Sequence, residues 1–210
     1  MPQNSYNSLP AVFTMKGLVL VLLLLPLLGL QEGARACSCP QTHPQETFCR
    51  AQVGIRAVVL GRTEVRPIDD LTDFGFNNVK YDIKLIKLFK GPKKNYNAVY
   101  TASNSAACGV NLINGTEYFM SGRLDFHGFL QVGLCGFVRP WEDMSFMQKK
   151  GVSQTYKTGC NCKITNCYSI PCGSSFAECL WPDFLMFTVF RNFACVEKSD
   201  GSCAWSSWIV

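Results

Sequence analysis

Apolar and polar residues alternate along two stretches of the chain, residues 53–59 and 79–85. A period of two is the pattern of a strand with one buried face. Shorter segments of strand-forming composition follow at residues 98–101, 117–123 and 129–134. Asn114-Gly115 and His127-Gly128 supply turn chemistry between the later ones. Five strands in this length predict a mainly β fold, a small closed barrel of the OB type.

Two helices are predicted to flank this barrel. The first covers residues 44–52 and has Pro44 near its first turn. The second opens at a capping box, Ser145-Phe146-Met147-Gln148, and runs towards Tyr156.

A long polar connection, residues 62–78, separates the first two predicted strands and carries Phe74 and Phe76. Exposed aromatic side chains on a long loop often mark a recognition site. The alternative is that both rings fold back onto the barrel. We favour recognition, and so include Phe74 among the candidate binding residues.

An apolar run, residues 17–30, follows Lys16 and precedes the A-x-A cleavage signal at residues 34–36. The run contains Pro26 and is shorter than the roughly 20 residues that a membrane span needs. Residues 1–36 are therefore predicted to be a signal peptide rather than a transmembrane anchor.

Cleavage after Ala36 would leave a mature chain that begins at Cys37. Residues 1–14 do not resemble the start of a signal peptide, which makes Met15 an alternative start. No second apolar run is long enough to span a bilayer. We therefore expect a protein that is secreted to the extracellular space or matrix.

All twelve cysteines lie at or after Cys37, and an even number in an oxidising compartment predicts six disulfides. The first six are widely spaced: Cys37, Cys39, Cys49, Cys108, Cys135 and Cys160. The last six are crowded: Cys162, Cys167, Cys172, Cys179, Cys195 and Cys203. Each group contains six cysteines, so its members can form disulfides among themselves. We predict one domain over residues 37–160 and a small disulfide-rich C-terminal domain over residues 161–210.

Charge distinguishes the two predicted domains. Residues 37–160 carry 15 Lys and Arg against 10 Asp and Glu, whereas residues 161–210 carry 3 against 4. A basic secreted domain suggests contact with acidic matrix polysaccharide, and an ordinary solvated face explains the same charge.

The sequence argues against an enzyme. It contains no G-x-S-x-G, H-E-x-x-H or P-loop motif. If every cysteine is bridged, no thiol nucleophile remains. His43 and His127 do not fall in a zinc-ligand spacing, and His127 is better explained as part of a hairpin tip. We predict no catalytic residues and no cofactor of the protein's own.

The mature N-terminus itself offers chemistry. The α-amine of Cys37 would have a pKa near 8, so part of it is neutral at physiological pH. This nitrogen and the Cys37 carbonyl oxygen could chelate one zinc ion in a protease and displace the water that acts as its nucleophile. Bridges at Cys37 and Cys39 would hold the terminus rigid, and Ser38 would point into the specificity pocket. The alternative is an ordinary N-terminus anchored by disulfides.

Several motifs, in this order, resemble the tissue inhibitors of metalloproteinases. They are Cys37-Ser38-Cys39, His43-Pro44-Gln45, Tyr81-Asp82-Ile83-Lys84, Cys108-Gly109-Val110 and Glu178-Cys179-Leu180-Trp181. The resemblance covers residues 37–205 and is greatest to the second paralogue of that family.

This resemblance implies a netrin-like OB-fold domain that inhibits matrix metalloproteinases, as a monomer in one-to-one complexes. It implies a protease-binding ridge made of Cys37, Ser38, Cys39, Pro40, Ala106, Ala107 and Cys108, with added contacts from the loop around Phe74. It also implies the disulfides Cys37–Cys108, Cys39–Cys135, Cys49–Cys160, Cys162–Cys203, Cys167–Cys172 and Cys179–Cys195.

The end of the chain departs from the family pattern. Members usually continue with a further tail, acidic in the second paralogue, that contacts the hemopexin domain of a progelatinase. This chain ends at Trp205-Ser-Ser-Trp-Ile-Val210, which argues against that partner. Asn114-Gly115-Thr116 is an N-glycosylation acceptor as well as a turn sequence.

Two other functions fit the same sequence. One is a netrin-like extracellular binding module without protease inhibition, which would not need a cysteine at the mature N-terminus. The other is a receptor ligand that acts through residues 161–210. Nucleic-acid binding is disfavoured by secretion and by the lack of a stripe of stacking aromatic residues.

Overall fold

The computed structural model describes residues 37–65, 78–168, 171–173, 175–182 and 192–206. Several predictions fall outside these residues: the signal peptide with Met15, the loop residues Phe74 and Phe76, and the chain end with Trp208 and Ile209. In the part of the chain that is described, no helix has the length and apolar character needed to cross a bilayer.

The two longest strands, β1 (Val53–Val65) and β2 (Asn78–Lys90), form an antiparallel pair. The side chains predicted to face inward are buried from Val53 to Val59 and from Val79 to Ile83. Both strands are longer than predicted, since residues 62–65 continue the ladder and do not belong to the loop. Backbone pairing with residues 78–81 holds them, although Arg62, Thr63 and Glu64 are polar and exposed.

Three short strands close the barrel: β3 (Ala98–Ala102), β4 (Glu117–Leu124) and β5 (Leu130–Gln131). The strand order is β1-β2-β3-β5-β4, and β4 also pairs with β1, so five strands form a closed ring. All neighbours are antiparallel except β3 and β5, which are parallel. This confirms the predicted OB-type barrel. A sixth strand, β6 (Val138–Pro140), pairs with the outer edge of β4.

Strand β5 is shorter than the predicted segment 129–134. The N–H of Val132 still donates to the carbonyl of Tyr100 on β3 at 2.9 Å, but the N–H of Leu134 donates to the carbonyl of Cys108 at 2.9 Å. The sequence alone could not show which carbonyl pairs with the N–H of Leu134, because a neighbouring strand and the loop at Cys108 would satisfy this donor equally well.

The barrel interior is filled by apolar side chains from all five strands and from the loop before β4. Its buried members include Val53, Ile55, Val59, Val79, Tyr81, Val99, Leu112, Tyr118, Met120 and Leu130. The hydroxyl of Tyr81 accepts a hydrogen bond from the N–H of Leu112 at 3.2 Å, so this large side chain is buried with its polar atom bonded.

Two predicted helical segments pack on the outside of the barrel. Helix α1 (Pro44–Arg50) begins after His43, and helix α2 (Phe146–Lys150) begins at the predicted capping box, where Ser145 and Gln148 bond each other's backbone. The chain continues through a wide turn, Gly151–Thr155, into helix α3 (Tyr156–Thr158). These elements share a second apolar cluster with outward-facing side chains of the barrel: Phe48, Phe119, Phe137, Met144, Val152, Tyr156 and Ala194.

The C-terminal part consists of two strand pairs. Strands β7 (Lys163–Cys167) and β8 (Glu178–Pro182) are parallel, and β9 (Ala194–Glu197) and β10 (Cys203–Ser206) form a hairpin. Their small core contains Cys162, Ile164, Cys179, Trp181 and Cys195. Disulfides make up much of this core, as expected for a unit too small to bury a large apolar interior. The domain boundary between Cys160 and Cys162 stays a prediction.

Candidate functional site: the N-terminal ridge

Two neighbouring disulfides fix the first described residues to the barrel. Cys37 is bonded to Cys108 and Cys39 to Cys135, with Cα–Cα distances of 5.0 and 5.2 Å. The sulfur of Cys37 lies 3.9 Å from that of Cys39 and 3.9 Å from that of Cys135, so the two bridges lie side by side. All of these sulfurs are in disulfides, and the cluster therefore lacks the thiolates that would bind a metal.

The segment between these bridges faces solvent. Ser38, Cys39 and Pro40 are exposed and Cys37 is half-buried. The hydroxyl of Thr42 donates to the carbonyl of Pro40 at 2.9 Å and so fixes the direction in which the segment leaves. The result is an exposed peptide that is covalently held at two of its first three described residues.

Two grooves adjoin the end of this segment. One, of about 390 Å³, is lined by Pro40 and Thr42 together with residues 121–123 and 131–133. The other, of about 320 Å³, is lined by residues 39–42, 134–139 and Gln148. The two grooves share Pro40 and Thr42, so they meet where the exposed segment runs towards helix α1.

A tight loop supports the segment from the barrel. Residues Ser105–Ala107 form one 3₁₀ turn, and the side-chain oxygen of Asn104 accepts from the N–H of Ala107 at 2.9 Å. Cys108 follows with a φ of 63°, and no other non-glycine residue in the described segments has a positive φ. This left-handed conformation is unfavourable for most side chains. The turn and the disulfide together hold Cys108 in it.

The residue after this loop must be glycine for steric reasons. A Cβ atom at Gly109 would lie 2.0 Å from the carbonyl oxygen of Ala102 and 2.9 Å from that of Asn104. The N–H of Gly109 donates to that Asn104 oxygen at 2.9 Å. This close approach lets the loop return to the barrel directly behind Cys108.

Helix α1 follows the exposed segment, and its start is buried against the C-terminal part of the chain. His43 is fully buried, and its ring centroid lies 5.3 Å from that of Trp181 and 5.1 Å from that of Trp205. Its Nδ1 accepts from the N–H of Gln45 at 3.1 Å, which caps the helix. The side chain of Asn166 also donates to the carbonyl of Gln41 at 3.5 Å. The exposed segment is thus anchored immediately behind Thr42.

The far end of helix α1 is held by a lysine from the barrel. The ammonium of Lys90 donates to the carbonyls of Phe48 at 3.0 Å and Cys49 at 2.7 Å, which are among the unpaired carbonyls of the last helical turn. Burial lowers the pKa of Lys90 below its ordinary value. Cys49 is also bonded to Cys160, so this end of the helix has a covalent anchor as well.

The remaining bridges lie in the C-terminal part: Cys162–Cys203, Cys167–Cys172 and Cys179–Cys195. All six pairs coincide with those that the family resemblance implied.

The structure brings most of the sequence-predicted site residues together on one surface. We call residues 37–40 and 106–108 the ridge. Within it Ala106 is exposed, Ala107 and Cys108 are half-buried, and Phe74 lies outside the described residues.

Sequence reasoning missed two neighbours of the ridge. Leu134 is 47% exposed and precedes Cys135, and Ser105 is exposed in the 3₁₀ turn. The implied pairing of Cys39 with Cys135 was the signal that could have placed Leu134 beside the terminus.

Comparison with known proteins places the chain in a family. The family model described as tissue inhibitor of metalloproteinase matches residues 35–205. The chain belongs to this family.

Among its relatives, Metalloproteinase inhibitor 2 of Cavia porcellus is 44% identical over 200 residues, which cover 91% of each chain. The protein of that name from Homo sapiens is 44% identical over 194 residues, covering 89% of this chain and 88% of its own. The one from Gallus gallus is 41% identical over 187 residues, covering 85% of each chain. The expected similarity to the second paralogue is confirmed.

Family membership and six disulfides are typical of an extracellular protein. The relatives carry the name of inhibitors, not of enzymes. A tissue inhibitor of metalloproteinases acts through contact with another protein, which makes the exposed ridge the surface of interest.

Proposed function

We propose that this chain is a secreted inhibitor of zinc metalloproteinases of the matrix metalloproteinase class, and that the ridge occupies the target's active-site cleft. The observation that carries the proposal is the exposed segment of residues 37–40, held by two adjacent disulfides to Cys108 and Cys135. Membership in the inhibitor family supports it.

The chemistry begins with signal-peptide cleavage after Ala36, which would give Cys37 a free α-amine. In its neutral form this amine has a lone pair, and together with the Cys37 carbonyl oxygen it forms a five-membered chelate ring on a metal ion. Nitrogen and oxygen donors suit zinc, and a catalytic zinc keeps one position for water or substrate. Occupation of that position by Cys37 would exclude the water that the protease uses as nucleophile.

The neighbouring residues would provide shape rather than chemistry. Ser38 would enter the pocket next to the metal, while Cys39, Pro40, Ala106 and Ala107 would line the cleft. Their side chains are small or cyclic, so few rotamers are lost when the cleft closes around them. Each inhibitor chain has one such terminus, and we therefore expect a monomer that forms one-to-one complexes. The mechanism requires no contact with a hemopexin domain.

Rigidity is the contribution of the fold. A flexible terminus would lose conformational entropy on binding, and that loss would reduce affinity. The bridges Cys37–Cys108 and Cys39–Cys135 remove most of this freedom before the target arrives. Thr42 and the buried His43 hold the chain directly behind the exposed segment.

The test compares secreted protein, with Cys37 verified as its first residue, to a variant with one alanine added before Cys37. Both are assayed against a matrix metalloproteinase catalytic domain. A matched control adds one alanine after Val210. We expect the N-terminal addition to abolish inhibition and the C-terminal addition to have no effect, with the fold unchanged in both. If the verified protein does not inhibit, the proposed function is wrong; if the N-terminally extended protein inhibits equally well, the chelate mechanism is wrong.

A further inference from the structure

The hairpin between β4 and β5 presents exposed aromatic side chains. Phe126 is 82% exposed and Phe129 is 48% exposed. The ring of His127 lies 3.9 Å from that of Phe126, and the ring of Phe129 lies 5.0 Å from that of Tyr100 on β3. We call Phe126, His127 and Phe129 the aromatic tip. Large exposed apolar side chains that cluster in this way usually mark an interaction surface.

The backbone of the aromatic tip is bonded internally. One carboxylate oxygen of Asp125 accepts from the N–H of His127 at 3.0 Å and of Phe129 at 2.8 Å. The N–H of Gly128 donates to the carbonyl of Asp125 at 2.9 Å, and the N–H of Asp125 donates to the carbonyl of Phe129 at 3.0 Å. Four N–H groups therefore have partners within the hairpin. These bonds stabilise the turn and leave few of its N–H groups available to a partner.

Basic residues lie at the base of the aromatic tip. The ammonium of Lys94 donates to the carbonyl of Gly128 and lies 5.1 Å from the ring centroid of Tyr96. Lys93 and Lys94 are both exposed. The other carboxylate oxygen of Asp125 accepts from the side chain of Gln131 at 2.9 Å, so this acid is used within the hairpin. The surface is thus apolar at its apex and has two lysines against one carboxylate, that of Asp125, at its base.

The aromatic tip lies at the end of the barrel opposite the ridge. Strands β3 and β5 are parallel, and Val99 pairs with Leu130. The tip directly precedes Leu130, whereas residues 106–108 and Cys135 follow the other ends of these strands. At about 3.3 Å per residue, the strands separate the two surfaces by about 10 to 15 Å. The ridge and the aromatic tip are therefore separate surfaces that share no residue.

These features discriminate between classes of partner. A sulfated polysaccharide would use the lysines but offers no apolar partner for two phenylalanine rings. A polypeptide strand would need free N–H groups to pair with, and four of those in the tip are already bonded. A lipid headgroup layer accepts protruding aromatic rings, favours backbone groups that are paired internally, and attracts flanking lysines when it is anionic.

We propose that the aromatic tip inserts into the headgroup layer of a membrane that contains anionic phospholipid. Phe126 and Phe129 supply the apolar contact and Lys93 the electrostatic one. This would hold the protein at a membrane that presents anionic lipid to the extracellular side, with the ridge directed away from the bilayer. The inference concerns a surface separate from the ridge and does not depend on the inhibitory function.

The test measures sedimentation of the full secreted protein with vesicles of phosphatidylcholine, with and without phosphatidylserine. We expect the wild-type protein to partition onto the vesicles that contain phosphatidylserine. The double variant Phe126→Ser/Phe129→Ser should reduce this partition by at least about tenfold. Lys93→Gln should reduce it by about fivefold. Phe126→Trp should retain binding, because tryptophan also favours the membrane interface. An unfolding midpoint of the double variant equal to that of the wild type shows that its loss of binding is not a folding defect.

Phe146→Ser is the matched control, since Phe146 is 68% exposed and lies at the start of α2, away from the hairpin. It should bind vesicles like the wild type. The proposal is overturned if the wild-type protein does not partition onto serine-containing vesicles, or if Phe146→Ser weakens binding as much as the double variant. It is also overturned if only Lys93→Gln weakens binding, since that result shows a purely electrostatic surface. Inhibition by the double variant is measured separately and should equal that of the wild type.

Discussion

Gln45 and Cys195, 150 residues apart in the sequence, share two hydrogen bonds in the protein interior. The side-chain oxygen of Gln45 accepts from the N–H of Cys195 at 2.8 Å, and its amide nitrogen donates to the carbonyl of Cys195 at 2.6 Å. That nitrogen also donates to the carbonyl of Gly159 at 3.2 Å. One side chain therefore pairs backbone groups of β9 as a neighbouring strand would, and it joins helix α1 to the C-terminal part directly behind the ridge.

Replacement of Gln45 by leucine should destabilise the protein. Gln45 is 1% exposed, so the change leaves one buried N–H and two buried carbonyls without this partner. Buried unpaired groups cost about 1–3 kcal/mol each, and we expect a total loss of about 2–4 kcal/mol after relaxation. Urea unfolding with intact disulfides measures this loss. Gln154→Leu at an exposed position should change stability by less than about 0.5 kcal/mol, and an equal effect of both variants would refute this role of Gln45.

Gly109→Ala should displace the loop that carries Ala106, Ala107 and Cys108. The new methyl group would lie 2.0 Å from the carbonyl oxygen of Ala102, which belongs to the barrel and cannot move freely. Overpacking of this kind costs about 1–3 kcal/mol. We expect a lower unfolding midpoint and weaker inhibition in the same variant. Gly61→Ala is the control, because no atom lies within 4 Å of its Cβ position, and it should retain both properties.

The stability of the β7–β8 pair should decrease in acid because of Glu178. Its carboxylate accepts from the hydroxyl of Thr165 at 2.6 Å and the N–H of Ser175 at 2.6 Å, and these bonds lower the pKa of Glu178 below its ordinary value. A lowered folded-state pKa gives stability that is present above the ordinary value of 4.5 and is lost as the pH falls through the folded-state pKa.

Glu178→Gln should therefore show a smaller loss of stability than the wild type between about pH 5 and about pH 3. Unfolding midpoints across this range measure the difference. Glu142→Gln, at an exposed position, controls for the change in net charge and should follow the wild-type profile. Parallel profiles for the wild type and Glu178→Gln would show that these bonds do not influence stability.

Asn114 should carry an N-linked glycan when the protein is secreted from animal cells. The side chain is exposed, and the turn around it is fixed by a bond from the N–H of Thr116 to the carbonyl of Ile113 at 3.2 Å. Gly115 takes a φ of +78° with open space around it, which leaves room for a sugar. Intact mass before and after glycosidase treatment measures occupancy. Thr116→Ala should abolish the modification and Thr116→Ser should preserve it, and an unmodified wild-type protein would disprove the prediction.

The barrel could be predicted from local patterns because its strands have one buried and one exposed face. The alternation at residues 53–59 and 79–85 follows directly from burial of every second side chain. The same reasoning underestimated the length of β1, since residues 62–65 are held by backbone bonds that leave no hydrophobic pattern. The capping box at Ser145 and Gln148 was predictable for the opposite reason, because both of its bonds are local.

The ridge could be predicted only in part from the sequence. Cysteine spacing and the cleavage signal indicated that the segment beginning at Cys37 is held by bridges and could have a chemical role. Spacing alone could not pair Cys37 with Cys108, and that pairing came from the family resemblance. Leu134 was missed because its exposure depends on where residues 132–136 leave the sheet.

The sequence by itself determined the strand alternation, the even number of cysteines and the apolar leader, because each depends on neighbouring residues or on composition. Only the tertiary structure decided the left-handed conformation of Cys108, the burial of His43 between two tryptophans and the pairing of Gln45 with Cys195. The aromatic tip belongs with these, since only the folded hairpin shows that its rings face solvent while its N–H groups are paired. Long-range contacts fix such features, and a contact between distant residues leaves no periodic signal in a single chain.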